Sequence, residues 1–150
     1  LNRMQSLIAV LAKTAVGASL PPFQARSTKG EKVSEQLCNK APVAVFSVWS
    51  STNMQSMEMQ RMLNQKVRNA KGKLKVVGLC IDPIQRECKD ILERDSISWP
   101  NICDGAMFEG DVAKKVGVYS VPFNIVLKNG KIVAKDLDAN QLKEQLDKLL

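Results

Sequence analysis

Residues 43 to 59 read VAVFSVWSSTNMQSMEM, and this stretch constrains the chain more than any other. An apolar run from about Val43 to Ser50 has the length and composition of a buried strand. Small polar residues end it, and a Met-rich helical pattern begins near Asn53, spanning roughly Met54 to Asn69. Leu74 to Ile81, rich in Val and Leu, predicts a second buried strand, broken by Asp82-Pro83. A strand that runs directly into a helix N-terminus is a favoured place for chemistry. Backbone N–H groups point outward there, and the helix dipole lowers a thiol pKa or stabilises an anion.

The flanking segments complete an α/β pattern. Leu1, Met4, Leu7, Ile8, Leu11 and Ala15 fall at helical spacing, so residues 1–16 are expected to form an amphipathic helix or the remnant of a preceding region, ended by Gly17. Phe23 to Ser27 and Glu31 to Val33 flank Thr28-Lys29-Gly30 and predict a hairpin; Ser34 is placed to cap a short helical turn through Leu37. A helix is expected from about Ile84 to Arg94, an extended piece from Ile97 to Cys103, and a short helix over Asp111 to Val116. Phe123 to Leu127 and Ile132 to Asp136 form the clearest hairpin, because Asn129-Gly130 supplies the positive φ angles of a tight turn. Asp138 and Gln141 have capping-box spacing before a last helix with Leu142, Leu146 and Leu149 on one stripe. Strands that alternate with helices and then close in an antiparallel pair predict an α/β fold with a mixed central sheet and helices on both faces.

The side chains at the strand–helix junction are Thr52, Asn53, Met54, Gln55 and Ser56. None is a nucleophile of lowered pKa, and none is a general base. The chain has no histidine, which excludes Ser–His–Asp and Cys–His catalysis and His-ligated metals. Cys38, Cys80, Cys88 and Cys103 include no pair separated by two residues, so neither a redox CxxC nor a zinc-knuckle spacing is present. Cys88 falls on the apolar side of its helical pattern and Cys80 ends a strand; both read as small core residues. The formal net charge is +7, with Arg61, Lys66, Arg68, Lys71, Lys73 and Lys75 in a run without acids. That run reads as a solvated helix end, and too few aromatics accompany it for a nucleic-acid surface. Met54, Met57, Met59 and Met62 offer soft thioethers suited to Cu(I), but on a helix they do not share one face. No cofactor and no metal site are expected, and no segment has the length of an apolar membrane span.

Val48 to Ser56 resembles the motif region of the thioredoxin-like superfamily, specifically its TlpA/ResA and AhpC/TSA-like thiol–disulfide oxidoreductase branch. There an apolar strand runs through Phe-Trp-Ala-Ser-Trp-Cys-x-x-Cys into a helix. Pro22-Phe23 is similar to the family's Pro-Asp-Phe opening, and Gly30 to the glycine of its first hairpin. Val76 to Asp82 is similar to its second strand, and Trp99-Pro100 with Asp104 to a common insert. Gly117 to Pro122 resembles its cis-proline loop, and Leu127 to Ile132 its following hairpin. The resemblance implies a thioredoxin-like domain over residues 17–150.

It also implies that Asn53 and Ser56 stand where the family carries its nucleophilic and resolving cysteines, and Thr52 where it carries an aromatic. A thiolate must attack a disulfide sulfur in thiol–disulfide exchange, so the expected function is a redox-inactive binding or structural module. Its partner would be a protein or extended peptide in the cis-proline groove, touching Trp49, Thr52, Met54, Gln55, Val121 and Pro122. Two alternatives stand beside it: an oxidoreductase or antioxidant enzyme that uses Cys38, Cys80, Cys88 or Cys103, and Met-based Cu(I) binding. The resemblance implies a bacterial cell-envelope or periplasmic location.

Overall fold

A computed structural model of the chain describes residues 14–150; the helix expected over residues 1–16 lies almost wholly outside them. The elements are β1 (Gln24–Arg26), β2 (Lys32–Ser34), α1 (Gln36–Asn39), β3 (Val43–Trp49), α2 (Met54–Asn69), β4 (Leu74–Cys80), α3 (Gln85–Arg94), β5 (Asn101–Ile102), a 3₁₀ turn (Met107–Glu109), α4 (Asp111–Val116), β6 (Phe123–Lys128), β7 (Lys131–Lys135) and α5 (Ala139–Leu149). β1 and β2 form a separate antiparallel pair. The main sheet has the order β5-β4-β3-β6-β7. β4 runs parallel to β3 and to β5, whereas β6 is antiparallel to both β3 and β7. The sheet is therefore mixed, as the order of elements predicts.

All seven residues of β3 are buried, because both faces of the sheet are covered. Ala44, Phe46 and Val48 face a core completed by Val77, Leu79, Ile125 and Leu127, with Phe23 and Val33 from the N-terminal hairpin and Val112 and Val116 from α4. Val43 and Val45 face the other side, where α2 supplies Met59 and Leu63 and α5 supplies Leu142 and Leu146. Each fully buried aliphatic side chain contributes roughly 1.5–3 kcal/mol. These contacts, rather than helix propensity, hold α2 and α5 against the sheet.

Local chemistry fixes the ends of the elements. Asn129 has φ 51° and Gly130 φ 80°, the pair of left-handed residues that a two-residue hairpin turn needs. A Cβ on Gly130 would also collide with the backbone oxygen of Asn39. Asp138 and Gln141 form the full capping box of α5. The outer edge of β7 is not left bare: Gly17 N–H donates to the Ile132 carbonyl at 2.8 Å, and Ile132 N–H donates to the Ala18 carbonyl at 2.7 Å.

Two expectations change. The extended piece placed over Ile97 to Cys103 pairs only at Asn101–Ile102. Ser96 adopts φ 53° and Ile97 N–H bonds back to Leu92, so the chain is still closing α3 there; Pro100 has no N–H to offer a ladder. The first hairpin pairs Gln24–Arg26 with Lys32–Ser34, and Phe23 instead turns into the core, 5.9 Å from the Phe46 ring in an edge-on contact.

Candidate functional site at the strand–helix junction

Trp49 ends β3, and four residues later Asn53 begins α2. Asn53 is extended, with φ −110° and ψ 116°, and its side-chain Oδ1 accepts the Ser56 N–H at 2.7 Å. It is thus the N-cap of a 16-residue helix whose first turn carries no acidic residue. The Ser56 hydroxyl is turned inward, where it accepts the Ser50 N–H at 3.3 Å, and Ser56 is buried.

Asp82, just beyond β4, gathers the connecting loop. Its Oδ1 accepts the Ser50 hydroxyl at 2.6 Å, and both carboxylate oxygens accept the Ser51 N–H, at 3.2 and 3.1 Å. Burial alone would raise the Asp82 pKa. The Ser50 and Ser51 hydrogen bonds outweigh it and hold the carboxyl below the usual carboxylate range. The sequence shows Asp82 only as a strand breaker; its role depends on β4 lying beside β3.

The start of β6 stands at the same rim. Val48 pairs with Phe123 in the antiparallel ladder, so Val121 and Pro122 lie where β3 ends, and the bond between them is cis. Met54 and Tyr119 are strongly exposed apolar groups on this rim, at 80% and 49% of their accessible area. Tyr119 leans on Phe123, with ring centroids 5.8 Å apart. Thr52 and Gln55 are exposed; Val121 and Pro122 are half-buried. Trp49 corrects the expectation that it touches a partner. It is 1% exposed, and its indole N–H donates to Asn101 Oδ1 at 2.7 Å inside the protein.

No cysteine stands between Ser50 and Ser56, and all four are free and buried. Cys38 packs in the core behind β3, where burial pushes its thiol up to about 12. Cys80, Cys88 and Cys103 come together, with all three Sγ atoms within 4.8 Å of one another. The mutual contacts of the three thiols draw the Cys103 pKa down and push those of Cys80 and Cys88 up, and the Cys103 thiol donates to the Asp82 carbonyl at 3.9 Å. The sequence predicts burial of Cys80 and Cys88 but not this cluster, since gaps of 8 and 15 residues match no ligand motif. The four methionines of α2 diverge: Met54 is exposed, whereas Met59 is buried with its sulfur 3.5 Å from Asn124 Nδ2. In the basic run, Lys66 pairs with Asp147 of α5, and Arg61, Arg68, Lys71, Lys73 and Lys75 are exposed.

A β-sheet of this order, a helix starting at the end of its central strand and a cis-proline facing that start describe a known architecture. The model of the AhpC/TSA family matches residues 16–140. The chain belongs to the AhpC/TSA family. Solved structures agree on a thioredoxin-like fold for this AhpC/TSA protein. It is similar to a thiol-disulfide oxidoreductase from Bacteroides fragilis, with 26% identity, 88% of this chain and 99% of that chain covered, and a TM-score of 0.73. The thioredoxin domain of a thiol-disulfide oxidoreductase from Bacteroides vulgatus matches in fold at 21% identity, 89% and 96% coverage and a TM-score of 0.73. A secreted disulfide oxidoreductase of Mycobacterium tuberculosis matches in fold at 14% identity, 84% and 95% coverage and a TM-score of 0.70. No curated protein matches the chain. None of the described helices of this AhpC/TSA protein is long and apolar enough to cross a membrane.

Proposed function

We propose that this chain is a thioredoxin-like module of the AhpC/TSA family that lacks both motif cysteines and binds an extended protein segment along the cis-proline rim. One observation carries the reading: Asn53 fills the helix N-terminus with its own side chain, 2.7 Å from the Ser56 N–H. A reactive thiolate would otherwise be stabilised there. An amide cannot form the mixed disulfide that exchange requires, and Ser56 is buried with no histidine to activate it. Exposed Met54 and Tyr119, with Thr52, Gln55, Val121 and Pro122, supply an apolar and hydrogen-bonding strip for an extended chain. Residues 17–150 form the module in this reading. The family resemblance and a secreted neighbour support a place in the bacterial cell envelope.

The test pairs a turnover assay with a binding assay. The protein is expected to give no insulin reduction with dithiothreitol above the uncatalysed rate. Titration with reduced, alkylated insulin B chain, an extended polypeptide, is expected to shift the amide resonances of Thr52, Met54, Tyr119 and Val121. Insulin reduction at the rate of a dithiol enzyme overturns the redox-inactive reading. Shifts confined to another face overturn the rim.

A further inference from the structure

Cys80 is the last residue of β4, Cys103 follows β5, and Cys88 is the fourth residue of α3. The parallel register pairs Trp49 with Cys80 and Leu79 with Ile102, so Cys80 and Cys103 project side by side from one face of the sheet. α3 folds back over that face and lays Cys88 on them. The three sulfurs lie within 4.8 Å of one another, buried with Trp49, and Met57, Ile91 and Leu92 pack around them. Cys80 and Cys88 are at most 1% exposed, and Cys103 is 7% exposed. Cys103 also lines a surface cleft of about 400 Å³ together with Gln85 and Lys89. The Gln85 side-chain amide donates to the Cys103 carbonyl at 2.7 Å and holds that backbone in place.

We propose that Cys80, Cys88 and Cys103 form a trithiolate site for one Cu(I) ion, which enters through the cleft at Cys103. A metal–sulfur bond of about 2.3 Å in a planar triangle separates the sulfurs by about 4 Å, a spacing inside the 4.8 Å within which all three lie. Thiolates are the ligands that select soft ions such as Cu(I) and Zn(II). Two features favour Cu(I). No carboxylate oxygen lies within the cluster among the described residues; the nearby Asp82 side chain bonds Ser50 and Ser51 and also faces the Cys80 thiol. Zn(II) wants a fourth ligand in a structural site, whereas a d¹⁰ monovalent ion is satisfied by three sulfurs. Met57, Ile91 and Leu92 pack against the sulfurs and add no nitrogen or oxygen ligand. Loading is ligand exchange without electron transfer: the Cu–N bonds of the delivering bicinchoninate complex break and the free chelator leaves, the S–H bonds release their protons to solvent, and three S–Cu bonds form. The Met-based Cu(I) reading drew on Met54, Met57, Met59 and Met62 of α2; here the ligands are the cysteines, and Met57 packs beside them.

The experiment uses the reduced chain under anaerobic conditions, with Cu(I) supplied as its bicinchoninate complex. One equivalent is expected to transfer to the protein, and X-ray absorption of the loaded wild-type protein is expected to show three sulfurs at about 2.3 Å. Cys38→Ser is expected to bind as the parent does. Cys103→Ser and Cys88→Ser should each weaken binding by more than the roughly 100-fold that loss of a supporting residue costs. The wild-type spectrum keeps the test valid even where a serine variant folds poorly. Four results overturn the site: no transfer from bicinchoninate; unchanged affinity in Cys103→Ser; Zn(II) displacing Cu(I) from the loaded protein; or a disulfide within the trio in protein isolated without reductant.

Discussion

The Ser56 N–H donates to the side-chain oxygen of Asn53 at 2.7 Å, and this bond occupies the helix N-terminus that the fold sets at the end of its central strand. The same two positions have the spacing of a CxxC pair at a helix start, which brings two sulfurs within bonding reach. Asn53→Cys with Ser56→Cys is therefore expected to form a disulfide and to gain insulin reductase activity above that of the parent. The helix N-terminus should draw the first of the two introduced thiols below the free value of about 8.5, read by pH-dependent alkylation. Asn53→Ala alone, which only removes the cap, should cost about 1 kcal/mol in denaturant unfolding. If the parent reduces insulin as fast as the double variant does, the loss of the dithiol is not what limits this protein.

Gly78 is required by the pair beside it. A Cβ at Gly78 would run into the Asn101 side chain, which accepts the Trp49 indole N–H at 2.7 Å. Gly78→Ala should displace Asn101, leave the buried indole without its acceptor and destabilise the fold by about 1–3 kcal/mol. Trp49 fluorescence should shift accordingly. Asn101→Ala removes the obstruction, so adding Gly78→Ala to it should cost much less than Gly78→Ala alone. Full additivity in the double-mutant cycle would show that the two positions act separately.

Asp82 sets an acid limit on the junction. Its folded pKa lies below the unfolded value of about 3.9, so its stabilising contribution is complete above that value and is lost as pH falls through the folded pKa. Urea midpoints measured between pH 6 and pH 2 should fall less steeply at the acid end in Asp82→Asn than in the parent. Parallel curves would mean that Asp82 titrates alike in both states.

Cysteine accessibility should be ordered. Cys103 lines the cleft and is the most exposed of the four thiols, at 7%, so native alkylation followed by mass spectrometry should label it first. Cys38, fully buried with its thiol pushed up to about 12, should be labelled last and only on unfolding. Early labelling of Cys38 would contradict the core placement of α1.

Leu63 and Met54 share α2 but not its surroundings. Leu63 is fully buried against the sheet, and Leu63→Ala should cost about 2–5 kcal/mol. Met54 is 80% exposed, and Met54→Ala should stay within about 0.5 kcal/mol of the parent while weakening insulin B-chain binding. A large loss of stability in Met54→Ala would remove it from the rim proposed for a partner.

Near neighbours along the chain carry every feature that the order of residues specifies directly. The periodicity of Val43 to Asn69 specifies a buried strand and the helix after it, and α2 and α4 fall where the pattern puts them. Asn129-Gly130 and Asp138-x-x-Gln141 specify a turn and a cap because their hydrogen bonds close within a few residues. The residue types after the central strand also place an asparagine at 53 and a serine at 56, with no cysteine between Ser50 and Ser56. The tertiary structure alone decided what distant residues do together. Trp49 reads as a rim residue until β5 brings Asn101 to its indole and buries it. Asp82 reads as a strand breaker until the β3–β4 pairing places it under Ser50 and Ser51. Cys80 and Cys88 read as separate core residues, and Cys103 as no part of either, until strand register and the return of α3 set the three sulfurs within 4.8 Å of one another. Such contacts depend on register and helix docking, and no local pattern encodes the distance between atoms that tens of residues of chain separate.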